Sequence, residues 1–306
     1  MLRRALIAAS NSRLLQRTAS RLPGARAVAM RFVAGETLDD ALAVSRRLNT
    51  RGASVSLDAL GEAVHDPSIA HAAAKTYRET LARMAAAGIE GSISVKLTQL
   101  GLGIDPDLCR HLVTDVCAAA AAVGSDVTVD MENSSYTQAT VDLVLALRAL
   151  GHGNVGCAVQ SYLYRTPDDV AKLTAAGASL RLCKGAYAES PEVAYQKKAE
   201  VDAAYARLSD MLLSGGVYPR LATHDRRLVH HAKNLARRYG REPSEFEFQM
   251  LYGVAEALQR QLVADGYRLR VYIPFGSEWY PYFMRRLAER PANLLFFVRA
   301  LAGRRN

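Results

Sequence analysis

From residue 53 onward, short segments rich in apolar and β-branched residues alternate with longer Ala- and Leu-rich stretches of helical period. Several of the helical stretches begin at or near a proline, which suits the first helical turn, and five are followed by a glycine, which suits a helix end. The predicted strands are 53–60, 91–97, 126–132, 155–163, 179–187, 219–225, 246–253 and 268–275. The predicted helices include 67–87, 106–123, 136–150, 167–176, 191–213 and 226–239.

This alternation predicts the fold class. About eight strand–helix units imply parallel strands with right-handed crossovers, and about 250 residues is the size of a closed barrel. An open doubly wound sheet is the competing layout, but it needs a glycine-rich phosphate turn, and the pair Gly101 and Gly103 lacks the third glycine. We therefore predict an α/β fold, a (β/α)8 TIM barrel over residues 51–306, with a basic helical segment over residues 1–50 packed on it.

Composition narrows the class of protein. Half of the 306 residues are apolar, so the chain can bury a large core without disulfides or metals. Its four cysteines form no CxxC pair, which indicates a reducing compartment and argues against a disulfide framework or a zinc site. Cys109, His111 and Cys117 lie close in sequence, but they fit helix faces better than a ligand cluster. We expect no metal site.

Most of the net charge of +9 belongs to the N-terminal segment, because seven arginines precede the first acidic residue, Glu36. The rest of the chain is nearly neutral, which argues against nucleic-acid binding. The segment has three interpretations: a mitochondrial transit peptide, an amphipathic helix on an anionic membrane surface, or a helix packed on the barrel with solvated arginines. Because no run of about 18 apolar residues occurs, we expect no membrane-spanning helix.

Polar side chains occur at the ends of seven consecutive predicted strands. In a parallel barrel the carboxyl ends of the strands meet at one mouth, where the reactive groups of such enzymes lie. Any one of these residues alone is explained by a structural hydrogen bond, but the whole set at matching depth indicates a site. The residues are Lys96, Asp130, Glu132, Gln160, Arg181, Lys184, Thr223, His224, Asp225, Gln249 and Tyr272.

The last predicted helix carries four polar residues at positions i, i+3, i+4 and i+7, which share one face: Tyr282, Arg285, Arg286 and Glu289. Because this helix follows the eighth strand, its first part can overhang the mouth. Two adjacent arginines there match a carboxylate or a phosphate, since guanidinium donors bind either anion bidentately. The alternative is an exposed face on which Arg285 pairs with Glu289.

Eight segments taken together resemble the proline dehydrogenase family, both its single-function bacterial enzymes and the corresponding domain of bifunctional proline-catabolic enzymes. The resemblance runs from about residue 31 to the C-terminus, and the order and spacing of the segments make it specific. The segments are SVKLTQLG (94–101), VDMENS (129–134), VQSYLYR (159–165), RLCKGAY (181–187), ATHD (222–225), FEFQMLYG (246–253), RVYIPFG (270–276) and YFMRRLAER (282–290).

The resemblance implies a distorted (β/α)8 barrel with short N-terminal helices. It also implies an FAD cofactor, held without a dinucleotide-fold motif, and oxidation of L-proline to 1-pyrroline-5-carboxylate, the first step of proline catabolism to glutamate. The residues that match FAD-binding positions are Met131, Gln160, Arg181, Lys184, Gly185, Ala186, Thr223 and His224. Those that match substrate-binding positions are Lys96, Tyr187, Leu251, Tyr272, Tyr282, Arg285, Arg286 and Glu289. Asp130 and Arg181 match positions marked as catalytic.

The resemblance implies a mechanism of substrate binding and hydride transfer. Arg285 and Arg286 bind the proline carboxylate with help from Lys96, while Tyr272 and Leu251 hold the ring so that a hydride passes from proline Cδ to flavin N5. We assign no general base. In the family the electrons pass on to a membrane quinone, which offers the basic segment a role in peripheral membrane contact. We expect a bacterial cytoplasmic enzyme, peripheral on the inner membrane face, whose product feeds a pyrroline-5-carboxylate dehydrogenase.

Three alternatives stay open from the sequence. Lys96 or Lys184 at a strand end can form a Schiff base, as in barrel aldolases, with the arginine pair binding phosphate. A barrel retained as an amino-acid-binding or regulatory protein is the second alternative. Within the enzyme class, 4-hydroxyproline is the nearest other substrate, because one ring hydroxyl needs only a small change in the pocket wall.

Overall fold

The computed structural model describes residues 23–61 and 63–289, and within them eight parallel strands form a closed barrel in chain order. The first strand pairs with the eighth, Val55 opposite Val271, and this pairing closes the cylinder. The strands are β1 Ser54–Ala59, β2 Gly91–Val95, β3 Val127–Val129, β4 Val155–Gln160, β5 Leu180–Cys183, β6 Arg220–Ala222, β7 Glu247–Leu251 and β8 Leu269–Phe275. The predicted (β/α)8 barrel is confirmed.

The helices of the described residues alternate with these strands from β1 onward. Two of them start at the predicted prolines, Pro67 and Pro106. The side chains of Asp66, Asp105 and Asn133 accept hydrogen bonds from backbone N–H groups of the first turn of three helices. The helices are α1 Pro23–Ala29, α2 Leu38–Asn49, α3 Pro67–Ala86, α4 Pro106–Ala122, α5 Ser134–Ala149, α6 Thr166–Ala175, α7 Lys198–Gly215, α8 Arg226–Arg238, α9 Glu256–Ala264 and α10 Trp279–Glu289.

The two ends of the chain distort the barrel. Helix α2 packs against β1 and β8, at the place where a regular barrel has its eighth helix. Helix α10 packs instead against α1, and this pair shares an apolar cluster with Leu60 and Leu251, which lie at the carboxyl ends of β1 and β7. The last helix therefore lies at the mouth of the barrel. Residues 1–22 of the predicted basic segment lie outside the described residues.

The interior of the barrel is polar. Alternate strand residues such as Val55 and Val127 belong to the apolar core around the strands. The strand residues that alternate with these apolar ones point into the barrel, and their polar groups meet across its axis. Arg270 donates to Ser92 Oγ at 3.1 Å, and Arg220 donates to Thr128 Oγ1 at 2.8 Å. Branched apolar side chains usually fill this space. Here an ionic network fills it instead and supports the residues at the mouth from below.

Element boundaries differ from the predictions in two ways. Most predicted strands extend two to four residues too far, because the strand-end residues turn into the loops of the mouth. The helix predicted over 191–213 begins only at Lys198. The preceding segment pairs with the loop after β4: Tyr164 N donates to Val193 O at 3.0 Å, and Tyr195 N donates to Tyr162 O at 2.8 Å. These backbone bonds replace the first predicted turns of that helix.

Candidate active site

Four of the predicted strand-end residues meet at the mouth in one hydrogen-bonded cluster. Asp130 accepts from Arg181 Nη1 at 2.5 Å through Oδ1 and from the Tyr272 hydroxyl at 2.7 Å through Oδ2. Lys96 Nζ lies 3.5 Å from the same Oδ2 and 3.5 Å from the Tyr272 hydroxyl. Lys96 and Asp130 directly follow β2 and β3, whereas Arg181 and Tyr272 lie within β5 and β8, so strands from both sides of the barrel converge on the cluster.

Lys96 is held between two carboxylates. Its Nζ donates to Asp58 Oδ1 at 2.7 Å, and Asp58, on β1, is fully buried. Burial alone lowers the pKa of an ammonium, but the negative charges of Asp58 and Asp130 outweigh burial and raise the pKa of Lys96. Lys96 is therefore a permanent cation at neutral pH. The same surroundings, burial first and then Asp130, raise the pKa of Tyr272, which stays a hydrogen-bond donor.

Arg181 is fixed across the barrel axis. Only 3% of the residue is exposed, and its guanidinium donates to Gln249 and Ser94 as well as to Asp130. The guanidinium carbon lies 5.3 Å from the centre of the Tyr272 ring, within the range of a cation–π contact. The mouth of the barrel thus contains a buried positive charge whose direction is set by several strands.

A second group of predicted residues lines the part of the mouth above β4 to β6. Gln160 Nε2 donates to the carbonyl of Glu132 at 2.7 Å and of Met131 at 3.3 Å. Lys184 Nζ donates to Asp202 Oδ1 at 2.6 Å. His224 Nε2 accepts from the backbone N–H of Leu251 at 2.9 Å, so the neutral imidazole carries its proton on Nδ1.

Three more of the predicted residues lie in the same loops. Thr223 accepts from the Asp225 N–H at 3.1 Å. Gly185 has a φ of +110°, and a Cβ there would lie 2.4 Å from the Tyr162 ring, so only glycine fits without strain. Ala186 follows in the same loop and is half-buried. This glycine lets the backbone after β5 turn at the mouth of the barrel, close to the Tyr162 ring.

The arginine pair belongs to the helix at the mouth of the barrel. Arg285 and Arg286 are half-buried on α10, and the Arg286 guanidinium lies 5.1 Å from the ring centre of the buried Tyr282. Burial raises the pKa of Tyr187 to about 12, and the positive charge of Arg285 opposes this shift, so the two side chains are near each other. The side chain of Glu289 lies outside the described residues, and the alternative Arg285–Glu289 pair stays a prediction.

The sequence interpretation missed one charged residue of the cluster and gave others no role. Asp58 was overlooked because the set of strand-end residues began with the second strand. The alternation Ser54, Ser56, Asp58 in β1 was the available signal, since it places polar groups on one side of a strand. Glu132, whose carboxylate accepts from both the N–H and the hydroxyl of Thr98, was noted without a role.

In residues 23–61 and 63–289, no group of histidine, cysteine, aspartate and glutamate side chains has the geometry of a metal centre. Over the same residues, no helix has the length and apolar character needed to cross a bilayer.

A parallel barrel with ionised side chains at its mouth, beneath two arginines on a covering helix, is an arrangement typical of enzymes and can bind a small anionic molecule. A family model described as "Proline dehydrogenase" matches residues 41–299 of the chain. The chain belongs to the proline dehydrogenase family, which is flavin-dependent in general.

Individual relatives agree with this assignment. The chain is 38% identical over 278 residues to proline dehydrogenase 2 of Bacillus subtilis, covering 91% of both chains. It is 39% identical over 278 residues to proline dehydrogenase of Deinococcus radiodurans, covering 90% of both. Among solved structures, proline utilization A from Bdellovibrio bacteriovorus, inactivated by N-propargylglycine, matches with a TM-score of 0.82 and 26% identity, over 87% of this chain and 33% of that one.

The residues at the mouth fit a flavin nucleotide by their chemistry. Arg181 and Lys184 provide cations for electron-rich and anionic groups. The backbone at Gly185 adds a close approach without a side chain.

Proposed function

We propose that the protein is an FAD-dependent proline dehydrogenase that oxidises L-proline to 1-pyrroline-5-carboxylate, the first step of proline catabolism. The observation that supports this proposal is the joining of Lys96, Asp130, Arg181 and Tyr272 into one buried cluster beneath Arg285 and Arg286. A substrate with one carboxylate and a compact apolar ring suits such a pocket, because the cations bind the carboxylate and the ring fills the remaining space.

Substrate binding is assigned to the cations nearest the covering helix. Arg285 and Arg286 bind the carboxylate of proline, and Lys96 approaches it from below. Lys96 can do this because Asp58 and Asp130 keep it protonated. Tyr272, Tyr187 and Leu251 form the wall against the ring, and Tyr282 supports the arginines from within α10. Glu289 completes the face by position on the helix.

Cofactor binding is assigned to the residues above β3 to β6: Met131, Gln160, Arg181, Lys184, Gly185, Ala186, Thr223 and His224. When bound, the flavin accepts the hydride that leaves the ring carbon next to the proline nitrogen. Arg181 provides a fixed positive charge where negative charge arrives. Asp130 holds Arg181 and Tyr272 in place through its two oxygens, and this positioning is its proposed contribution to catalysis.

The geometry disfavours the Schiff-base alternative. A lysine must be unprotonated to attack a carbonyl. Lys96 is held as an ammonium by two carboxylates, and Lys184 is paired with Asp202 and lies 3.6 Å from Asp225. A flavin enzyme uses both lysines as cations, and the two carboxylates around Lys96 favour that state for this residue.

The fate of the electrons is a further part of the proposal. We assign a membrane quinone as acceptor, a peripheral contact with the inner membrane face, and a pyrroline-5-carboxylate dehydrogenase as the consumer of the product. Charge supports the membrane contact, since the first 35 residues hold seven arginines and no acidic residue.

The test is steady-state kinetics with L-proline and a dye acceptor on the Arg285→Met variant. Loss of one guanidinium from the carboxylate site is expected to raise KM by roughly 10- to 100-fold, since a charged hydrogen-bonded pair contributes about 1.5–3 kcal/mol. The matched control is Arg260→Met, on the surface of α9, where the arginine pairs with Glu256 and an unchanged KM is expected. A KM for proline within twofold of the unmodified enzyme in Arg285→Met contradicts the assigned carboxylate site.

A further inference from the structure

The guanidinium of Arg181 is bound on three sides. Nε donates to Gln249 Oε1 at 2.6 Å, Nη1 donates to Asp130 Oδ1 at 2.5 Å, and Nη2 donates to Ser94 Oγ at 2.9 Å. The five N–H groups of a guanidinium lie in one rigid plane. Contacts to all three nitrogens therefore fix both the position and the tilt of that plane. Asp130 was predicted from the sequence as part of the site, but Gln249 was given no role.

The amide of Gln249 has only one orientation that satisfies its neighbours. Gln249 is 2% exposed, and its Nε2 donates to Glu247 Oε1 at 2.5 Å. An ionised carboxylate only accepts hydrogen bonds, so it requires the NH2 end of the amide. The carbonyl end is thereby directed at Arg181. If the amide were flipped, its carbonyl oxygen would face the Glu247 carboxylate, and both groups are acceptors. Its NH2 group would then face the Arg181 guanidinium, and both groups are donors.

Glu247 is held in its ionised form from below. It is 1% exposed, and Arg270 binds it with two hydrogen bonds, from Nε at 2.7 Å and from Nη2 at 3.1 Å. Arg220 Nε lies 3.9 Å away. Burial acts to raise the pKa of this carboxyl, but the charges of Arg270 and Arg220 outweigh burial and the pKa is lowered. The acceptor that orients Gln249 is thus present at all working pH values.

We infer that Gln249, aligned by Glu247, is a positioning residue for Arg181 and sets the plane of its guanidinium toward the flavin. The inference rests on the proposed function, because Arg181 is the cation assigned to the cofactor. Gln249 acts only through Arg181. It links the ionic network inside the barrel, through Glu247, to the guanidinium at the mouth. Replacing it changes the direction of the guanidinium while the arginine pair of α10 stays in place.

Two substitutions at this position separate alignment from simple filling of space. In Gln249→Glu, a neutral carboxyl reproduces the native pattern, since its O–H donates to Glu247 and its carbonyl accepts from Arg181. Ionisation removes that donor and sets two carboxylates against each other, which raises the pKa of the introduced carboxyl. This repulsion, together with burial, opposes the lowering of that pKa by Arg181, whose Nε lies 2.6 Å from the Gln249 oxygen. Gln249→Leu fills similar volume but offers no acceptor to Arg181 at any pH.

The experiment measures kcat and KM for proline, the FAD dissociation constant of the apoprotein, and the flavin midpoint potential. For Gln249→Leu we expect kcat to fall about tenfold, the effect of one lost hydrogen bond to a charged group, while KM changes less than twofold. FAD binding weakens and the midpoint potential becomes more negative. For Gln249→Glu we expect kcat near that of the unmodified enzyme at pH 6 and about tenfold below it at pH 9, compared at equal pH.

The control is Thr80→Val, which removes one buried hydrogen bond within α3, from Thr80 Oγ1 to Thr76 O at 2.8 Å, and is expected to leave all four quantities unchanged. A Gln249→Leu enzyme within twofold in kcat, with unchanged potential, overturns the inference. The inference is also overturned if kcat of Gln249→Glu, divided by kcat of the unmodified enzyme at the same pH, is equal at pH 6 and pH 9. If Gln249→Leu does not fold, the pH dependence of this kcat ratio alone decides. An unmodified enzyme that binds flavin but does not oxidise proline contradicts the proposed function instead, and FAD affinity and potential then still test the role of Gln249.

Discussion

Replacing Asp58 with asparagine tests how charge is arranged at the mouth of the barrel. The carboxylate is fully buried, and its Oδ1 accepts from Lys96 at 2.7 Å. Among the residues that the structure describes, its Oδ2 has no hydrogen-bond partner. Asparagine has the same shape and can keep one hydrogen bond to the ammonium, so the substitution removes the charge and little else.

The expected loss of unfolding free energy depends on the ion pair that Lys96 keeps with Asp130. Breaking a buried ion pair costs about 3–5 kcal/mol when the other charge is left alone. Lys96 still lies 3.5 Å from Asp130 Oδ2, so we expect the lower part of that range or less, about 2–3 kcal/mol of unfolding free energy. For a chain of this size the loss corresponds to a Tm lower by roughly 5 °C.

The substitution also predicts a change in pH dependence. Lys96 has a raised pKa in the folded state, so its stabilising contribution is complete below the unfolded pKa and is lost only as pH rises through the folded pKa. Without Asp58, the largest charge that opposes the effect of burial is removed and the folded pKa of Lys96 falls. The ammonium then loses its proton at a lower pH than in the unmodified enzyme, and the cation that we propose binds the carboxylate is lost with it.

The assay is KM for proline between pH 7 and pH 10, with thermal unfolding measured on the same samples. We expect Asp58→Asn to show a rise in KM at the alkaline end that the unmodified enzyme lacks, together with the lower Tm. Identical KM profiles and an unchanged Tm would refute the reasoning, because they would mean that Asp130 alone controls the charge of Lys96.

Three other outcomes are expected. Tyr272→Phe loses the hydrogen bond to Asp130 at 2.7 Å but keeps the ring, so kcat should fall about tenfold with little change in Tm, and equal kcat values would contradict the role of the hydroxyl. Gly185→Ala places a Cβ 2.4 Å from the Tyr162 ring at a φ of +110°, so we expect a loss of roughly 2–3 kcal/mol in thermal unfolding and reduced flavin content, and a fully loaded, equally stable variant would refute this. Removing residues 1–22 should weaken sedimentation with anionic but not neutral liposomes, whereas unchanged binding would exclude this segment as the membrane contact.

The barrel was predictable because its signal is local. Strand residues of alternating type and helices that begin near a proline recur along the chain, and the side chains of Asp66 and Asp105 cap the helices that their positions suggest. Parallel connection rules then leave few topologies. The position of α10 was also foreseen, since a helix after the last strand has no further strand to lead into and can lie over the mouth.

The polar interior was not predictable from the same signals. Whether Arg181 or Arg270 points into the barrel or into solvent depends on strand register, and register is set by pairing across the whole sheet. Gln249 was recognised at a strand end, but its partners Glu247 and Arg181 come from a position two residues away and from another strand. A one-dimensional pattern shows that such residues exist. Only the closed sheet shows which of them touch.

The most direct test of the account is an anaerobic titration of the purified flavin-loaded protein with L-proline, followed by visible absorbance. The central claim is that the mouth of the barrel brings proline and a flavin together. The account predicts that proline bleaches the flavin spectrum to completion, that the unmodified protein does so at far lower proline concentration than Arg285→Met, and that 1-pyrroline-5-carboxylate is recovered. A flavin spectrum that stays unchanged at saturating proline would contradict it.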